Sequence, residues 1–222
     1  MVLKQLETIH EDSDCIVINK PAGLAVQGGK GITVSLDNIL EQTWSQRPFL
    51  VHRLDRDTSG LMLVAKTKAA AAFFSGLLDS AAPAGKGITK QYLAICKGKP
   101  PQPEGTICLD LAIHGSVKKS VTRYRLLANA LETEVFSLLE LELGTGRMHQ
   151  IRRHLALTGN PIIGDDKYGD FKLNHQLRKT MKLRHLLLHA SRLIIPQTPN
   201  GLSLDLKAPP PEYFGDVQEK KP

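Results

Sequence analysis

The segment His52-Arg53-Leu54-Asp55-Arg56-Asp57-Thr58-Ser59-Gly60 places two carboxylates, two guanidiniums, one imidazole and two hydroxyls within nine residues. A carboxylate held ionised beside cations can act as a nucleophile or a general base. The flanking runs, Phe49 to Val51 and Leu61 to Ala65, are apolar and read as strands. The charged stretch is therefore a loop between core elements, where positioned sites are common. A second concentration is Gly144-Thr145-Gly146-Arg147-Met148-His149-Gln150-Ile151-Arg152-Arg153-His154. Here glycines end a strand and a basic helix begins. His149, Arg152, Arg153 and Ala156 fall on one side of it, Ile151 and Leu155 on another. Cations at a helix start oppose the helix dipole and call for a nearby anion, either a protein carboxylate or a phosphate.

Other chemistries fit these residues poorly. His-Arg-Leu-Asp is close in letters to a protein-kinase catalytic loop, but Leu54 breaks the spacing. No Gly-rich loop with a following strand lysine and no Asp-Phe-Gly accompany it. His149 and His154 are five residues apart, a step that does not bring two helix side chains to one metal. Cys15, Cys96 and Cys108 lack zinc or redox spacing and read as buried small apolar side chains in a reducing cytoplasm. Lys plus Arg number 29 against 22 Asp plus Glu, a formal charge of +7. Such a surplus suits a polyanionic partner, of which nucleic acid is the commonest. Met1 to Asp14 has no signal-peptide core, and no apolar run reaches membrane-spanning length. A cytoplasmic protein without membrane contact is expected.

The elements that must position these groups are mostly strands. Cys15 to Asn19, Gln91 to Lys97, Thr106 to Ile113, Val121 to Leu127, Val135 to Leu143, Leu186 to Ile195 and Leu202 to Leu206 all read as strands. Leu36, Ile39, Leu40 and Trp44 recur at helical spacing. Thr67 is placed to cap a helix running through Leu78. Met148 to Thr158 reads as a helix closed by Gly159. Ser80 to Gly87 reads as a loop, and the tail 209–222 as loose. Strands dominate without regular alternation with helices. That predicts one α+β domain over 1–222 on a mixed, mostly antiparallel sheet.

His52 to Gly60 resembles the His-Arg-Leu-Asp-x-x-Thr-Ser-Gly signature of RluA-type pseudouridine synthases. Gly146 to His154 resembles that family's Gly-Arg-x-His-Gln-Ile-Arg-x-His motif. Asn19-Lys20-Pro21-Ala22-Gly23-Leu24, Pro161 to Gly169, and Leu188-His189-Ala190 are similar to its other landmarks. The five stand in the family's order. Met148 departs from the usual Thr or Ser. The resemblance implies the pseudouridine synthase fold: a large, mixed, mainly antiparallel sheet flanked by helices, with an RNA cleft across its middle. It implies isomerisation of uridine in structured RNA without metal or organic cofactor. Asp55 maps to the essential aspartate. Tyr92, in Lys90-Gln91-Tyr92, maps to the active-site tyrosine. Arg152 maps to the basic partner of the aspartate, and Arg53 to the arginine that enters the RNA helix. His52, Arg56, Arg147, His149, Gln150 and Arg153 join Arg53 as expected RNA contacts. Asp57 and Asp110 are the rival carboxylates; Asp57 reads as a loop brace and Asp110 as a strand-edge residue.

The Gly-Leu-Ala-Val-Gln-Gly-Gly run after the first motif looks most like the branch acting on large-subunit ribosomal RNA, with transfer RNA as the alternative. Many relatives begin with an S4 RNA-binding module, whereas this chain opens at the catalytic domain. Target choice is then expected to rest on that domain or a partner, and a monomer is expected. Two other readings compete. A nonenzymatic RNA-binding protein gains nothing from a carboxylate near phosphates. A metal-dependent hydrolase calls for a ligand cluster not evident in the sequence.

Overall fold

The computed structural model describes residues 6–44, 47–79, 86–113, 115–130 and 136–215 of the 222-residue chain. They form two compact units, Met1–Lys90 with Ala190–Pro209, and Gln91–His189 with Pro210–Pro222.

In the first unit, β1 (Glu7–Glu11), β2 (Cys15–Lys20), α1 (Leu36–Trp44), β3 (Phe49–Leu50), β4 (Ser59–Ala65) and α2 (Lys68–Leu78) follow one another. β1 pairs with β2, and both β2 and β3 pair with β4, all antiparallel. β2 and β4 are near-continuous apolar runs because they are buried on both faces. A core of Cys15, Val17, Leu61, Leu63 and Phe74 results. α1 buries Leu36, Ile39 and Leu40 at the predicted helical spacing. α2 is capped as expected, the Thr67 hydroxyl accepting from the Ala70 amide at 3.1 Å. The register sets Lys20 opposite Gly60, so the end of β2 meets the end of the charged loop.

The second unit holds β5 (Thr89–Lys97) from Gln91 onward, β6 (Glu104–Cys108), β7 (Leu111–Ile113), β8 (Ser116–Lys118), β9 (Val121–Ala130) and β10 (Phe136–Leu143). Helices α3 (Gln150–Leu157) and α4 (Phe171–Thr180) follow. β10 lies between β5 and β9, and β6 pairs with β9, all antiparallel. A register shift opposite Leu138 and Leu139 leaves Leu127 as the extra residue of a bulge in β9. β11 (Leu188–Ile195) spans the boundary of the two units, and its outer end pairs with β12 (Leu204–Lys207) in the first.

Three sequence expectations need correction, and one helix went unread. Thr106 to Ile113 is two strands: β6 joins β9, whereas β7 turns back as a hairpin with β8. Cys15 and Cys96 are buried, but Cys108 is exposed. α4 escapes the apolar pattern because its inward side carries little beyond Leu173, Asn174 and Leu177. The stretch after Pro209 is not loose as far as Gly215: Phe214 is buried, and the Tyr213 ring stacks on His185 at 4.3 Å. Residues 216–222, and 80–85 of the expected Ser80 to Gly87 loop, lie outside the described residues. Among the described residues no helix is long and apolar enough to cross a membrane.

Candidate active site

In the first unit the charged loop is held from below by its neighbours. Leu54, Thr58 and Ser59 are buried, and the Thr58 amide donates to the Asp55 carbonyl at 3.2 Å, closing a turn. Gly60 has φ 110°, and a Cβ there would stand 2.3 Å from the Ala190 carbonyl oxygen. Only glycine fits that close approach. Lys20, 0 % exposed, reaches under the loop. Its Nζ donates to the carbonyls of Pro21, Leu24 and Arg56 at 3.0, 2.9 and 2.9 Å. The Gly23 amide donates to the same Arg56 carbonyl. All three ammonium donors are therefore used, and the residue beside Asp55 is pinned to the turn after β2. Burial pushes the Lys20 ammonium down to about 7, while Asp57 and Asp55 oppose the shift.

The loop's side chains divide by role. Asp55 is half-buried and Arg53 exposed. Arg56 and Asp57 form an exposed ion pair at 3.1 Å, a contact that stabilises little in water. His52 is different. Its Nε2 accepts from the Leu63 amide at 3.0 Å, and burial, with Lys90 nearby, pushes its pKa down to about 3. A ring that must accept there is neutral at physiological pH. Through that bond His52 is a strut between loop and β4.

In the second unit the groups cluster around α3. Arg152 is buried and makes a two-pronged pair with Asp165: Nε donates to Oδ2 and Nη2 to Oδ1, both at 2.8 Å. Nη2 also reaches Asp166 at 3.3 Å. Asp165, 1 % exposed, further accepts from the Lys167 and Tyr168 amides at 2.9 Å. Burial raises its pKa, but the Arg152 hydrogen bonds and these amides outweigh it and hold the carboxyl below the ordinary range. The Tyr168 ring lies 5.3 Å from the Arg152 guanidinium carbon, and its hydroxyl is 3.0 Å from His149 Nδ1. Tyr92 is buried on β5 opposite Leu141.

Gln150 moves from the RNA-facing set to the interior. Its Oε1 accepts from Thr145 Oγ1 and the Arg147 amide; its Nε2 donates to the Val121 carbonyl and Thr122 Oγ1. That fills the capacity of a buried carboxamide, with nothing left for RNA. It ties the Gly144 to Arg147 turn to β9. His149 then opens α3 with φ 52°, a left-handed conformation uncommon for a residue with a side chain. Arg153 spends one guanidinium nitrogen on the Ala112 carbonyl at 3.0 Å, and Arg147 lies 3.5 Å from the Lys119 carbonyl. Buried His154 bonds the Leu109 carbonyl at 3.0 Å.

Sequence reading gave no role to Lys20, Asp165 or Tyr168. A lysine closing an otherwise apolar strand was the available signal for Lys20. Asp165 stood unassigned inside a quoted landmark.

Comparison with known proteins adds an independent line. A family profile described as RNA pseudouridylate synthase matches residues 14–157. The ribosomal large subunit pseudouridine synthase C of Rickettsia bellii is 38% identical over 223 residues, 94% of this chain and 70% of that protein. The uncharacterised RNA pseudouridine synthase YlyB of Bacillus subtilis is 33% identical, covering 96% of this chain and 72% of its own length. Among solved structures, human RNA pseudouridylate synthase domain containing 4 superposes with a TM-score of 0.76 at 27% identity, over 95% of this chain and 91% of the other.

Proposed function

The chain belongs to the RluA-type RNA pseudouridine synthases and isomerises uridine in RNA, and from that premise we propose that its substrate is large-subunit ribosomal RNA and that Asp55, Tyr92 and Arg152 carry the chemistry. Its fold is the α+β architecture with a large mixed sheet found in the family's solved structures. Support for the ribosomal substrate comes from the relatives of Rickettsia and Vibrio parahaemolyticus, named for that subunit. Support for Asp55 comes from its motif, inside the matched region, on a loop that Lys20 and Gly60 hold from outside.

The reaction breaks the bond from ribose C1′ to uracil N1 and forms one from C1′ to C5, while the C5 hydrogen is replaced by one on N1. No atoms are gained, so no cofactor or metal is required. Asp55 acts at the ribose, attacking C1′ or removing the C2′ proton. Arg152 is the basic residue that the family motif supplies for that carboxylate. Asp165 fixes the guanidinium plane for that task. Tyr92 offers the detached base a flat face. A target in a stacked region must first be extruded, at about a few kcal/mol, and Arg53 fills the space it leaves. Arg56, Arg147, His149 and Arg153 contact the RNA. The catalytic domain is 1–222, acting as a cytoplasmic monomer.

Asp55→Asn tests the assignment. The amide is nearly isosteric but cannot ionise, so the single-turnover rate should fall by about a thousandfold or more while RNA affinity persists. A rate within about tenfold of wild type would overturn the role of Asp55. Pseudouridine mapping in ribosomal and transfer RNA, with and without the gene, decides the substrate.

A further inference from the structure

We propose that the solvent face of α4 and the turn after it, carrying Lys172, His175, Arg178, Lys179, Lys182 and Arg184, is a track for the phosphate backbone of the substrate RNA. The proposal rests on the RNA synthase reading and adds a contact surface that none of the family motifs contains.

From Phe171 to His189 the chain has five Lys and Arg and no Asp or Glu. All six track residues are exposed. None makes an ion pair among the described residues, whereas exposed Arg123 and Arg125 and half-buried Arg192 pair with Glu142, Glu140 and Asp205. Lys172, His175 and Lys179 are spaced three and four apart and share one helix face, opposite buried Asn174 and Leu177. That face runs about 10 Å from Lys172 to Lys179. Arg178, Lys179 and Lys182 bring like charges close together, and an anion relieves their mutual repulsion.

The helix dipole accounts for Arg178 and Lys179 in the last turn, but not for Lys172 in the first, nor for Lys182 and Arg184 beyond the end. Lys182 has φ 56°, in the left-handed position after a helix where glycine is usual. A cation stands where the backbone favours glycine. The track is also registered to the candidate site. Asn174 Oδ1 accepts from the Gly164 amide, and its Nδ2 donates to the Asp165 carbonyl, both at 2.9 Å. The Asp165 side chain in turn grips Arg152, so α4 is braced against the residue that holds the site's arginine.

The test measures binding of in vitro transcribed large-subunit ribosomal RNA and of a transfer RNA transcript across a salt series. Combined Lys172→Gln, Arg178→Gln, Lys179→Gln and Lys182→Gln should raise the dissociation constant more than about tenfold and lower the log–log salt slope by about three. A control with Lys68, Lys86, Lys99 and Lys207, all exposed elsewhere, changed to Gln removes the same charge and should alter affinity less than about twofold. Equal losses in the two variants, or no loss in the first, would overturn the track; the second result leaves the face to another partner, such as an acidic protein. Lys182→Gly should keep or raise the melting temperature yet weaken binding. A lower melting temperature with unchanged affinity would make Lys182 structural and count against it. Wild-type protein that neither binds nor modifies either transcript would sink the substrate reading itself, visibly, before any variant is made.

Discussion

The Asp55 loop and the start of α3 have similar compositions, yet they are held in opposite ways. The loop is fixed from outside, by Lys20 under its backbone, by the Leu63 amide on His52 and by the close pass of Gly60 over Ala190. The α3 region is fixed by its own motif side chains. Gln150 makes four hydrogen bonds, and Arg152 is locked to Asp165. Equal charge density thus conceals different duties. Damage to α3 should appear first as lost stability, and damage to the loop's supports as lost turnover.

The largest effect should come from Asp165→Asn, which leaves Arg152 buried without its carboxylate. Breaking a buried pair this way costs about 3–5 kcal/mol, read by chemical denaturation. A loss below about 1 kcal/mol, the range of a surface pair, would erase the distinction between the regions.

Lys20→Met comes next. It takes the lysine donor from three carbonyls, of which that of Arg56 keeps the Gly23 amide, at about 1–3 kcal/mol, less than the Asp165 change. Single-turnover rate should fall by about ten- to a hundredfold as the loop loosens, with RNA affinity nearly kept. Melting lowered as much as in Asp165→Asn, with an unchanged rate in the folded fraction, would contradict a positioning role.

The most gradual effects concern pH. His52 and Lys20 are bases whose folded pKa values, about 3 and about 7, lie below the ordinary 6.5 and 10.5. Protonation favours the unfolded chain in each case. Stability should therefore rise with pH between about 3 and 6.5 through His52, and between about 7 and 10.5 through Lys20. Either slope is at most about 1.4 kcal/mol per pH unit. Asp165 has the usual carboxylate sense: its contribution is present above the ordinary carboxylate pKa and lost as pH falls through its lowered folded value. His52→Gln should flatten the acid limb above pH 4. An identical limb in wild type and variant would place the titration elsewhere.

Much of this was legible in the sequence for physical reasons. Near-continuous apolar runs at Cys15 and Leu61 announced strands buried on both faces. Thr67 announced a cap because its hydroxyl can only serve the next turn. α4 hid because two leucines do not make a stripe, and β1 because only Ile9 in Glu7–Glu11 is apolar. Gln150 looked like an RNA contact because polar residues in a basic motif are exposed by default. Its bond to Val121, and that of His52 to Leu63, join segments that spacing alone does not bring together.

The sequence by itself determined the family, the reaction and the residues offered for it, because the five motifs carry a fixed order of chemically matched groups. It also determined the charge that suits RNA. Tertiary structure alone decided that Arg152 spends one edge on Asp165, that Gln150 braces a turn and that Lys20 lies under the Asp55 loop. Spacing constrains which way a side chain leaves its own element. The partner it meets is set by strand register and by packing between segments far apart in the chain.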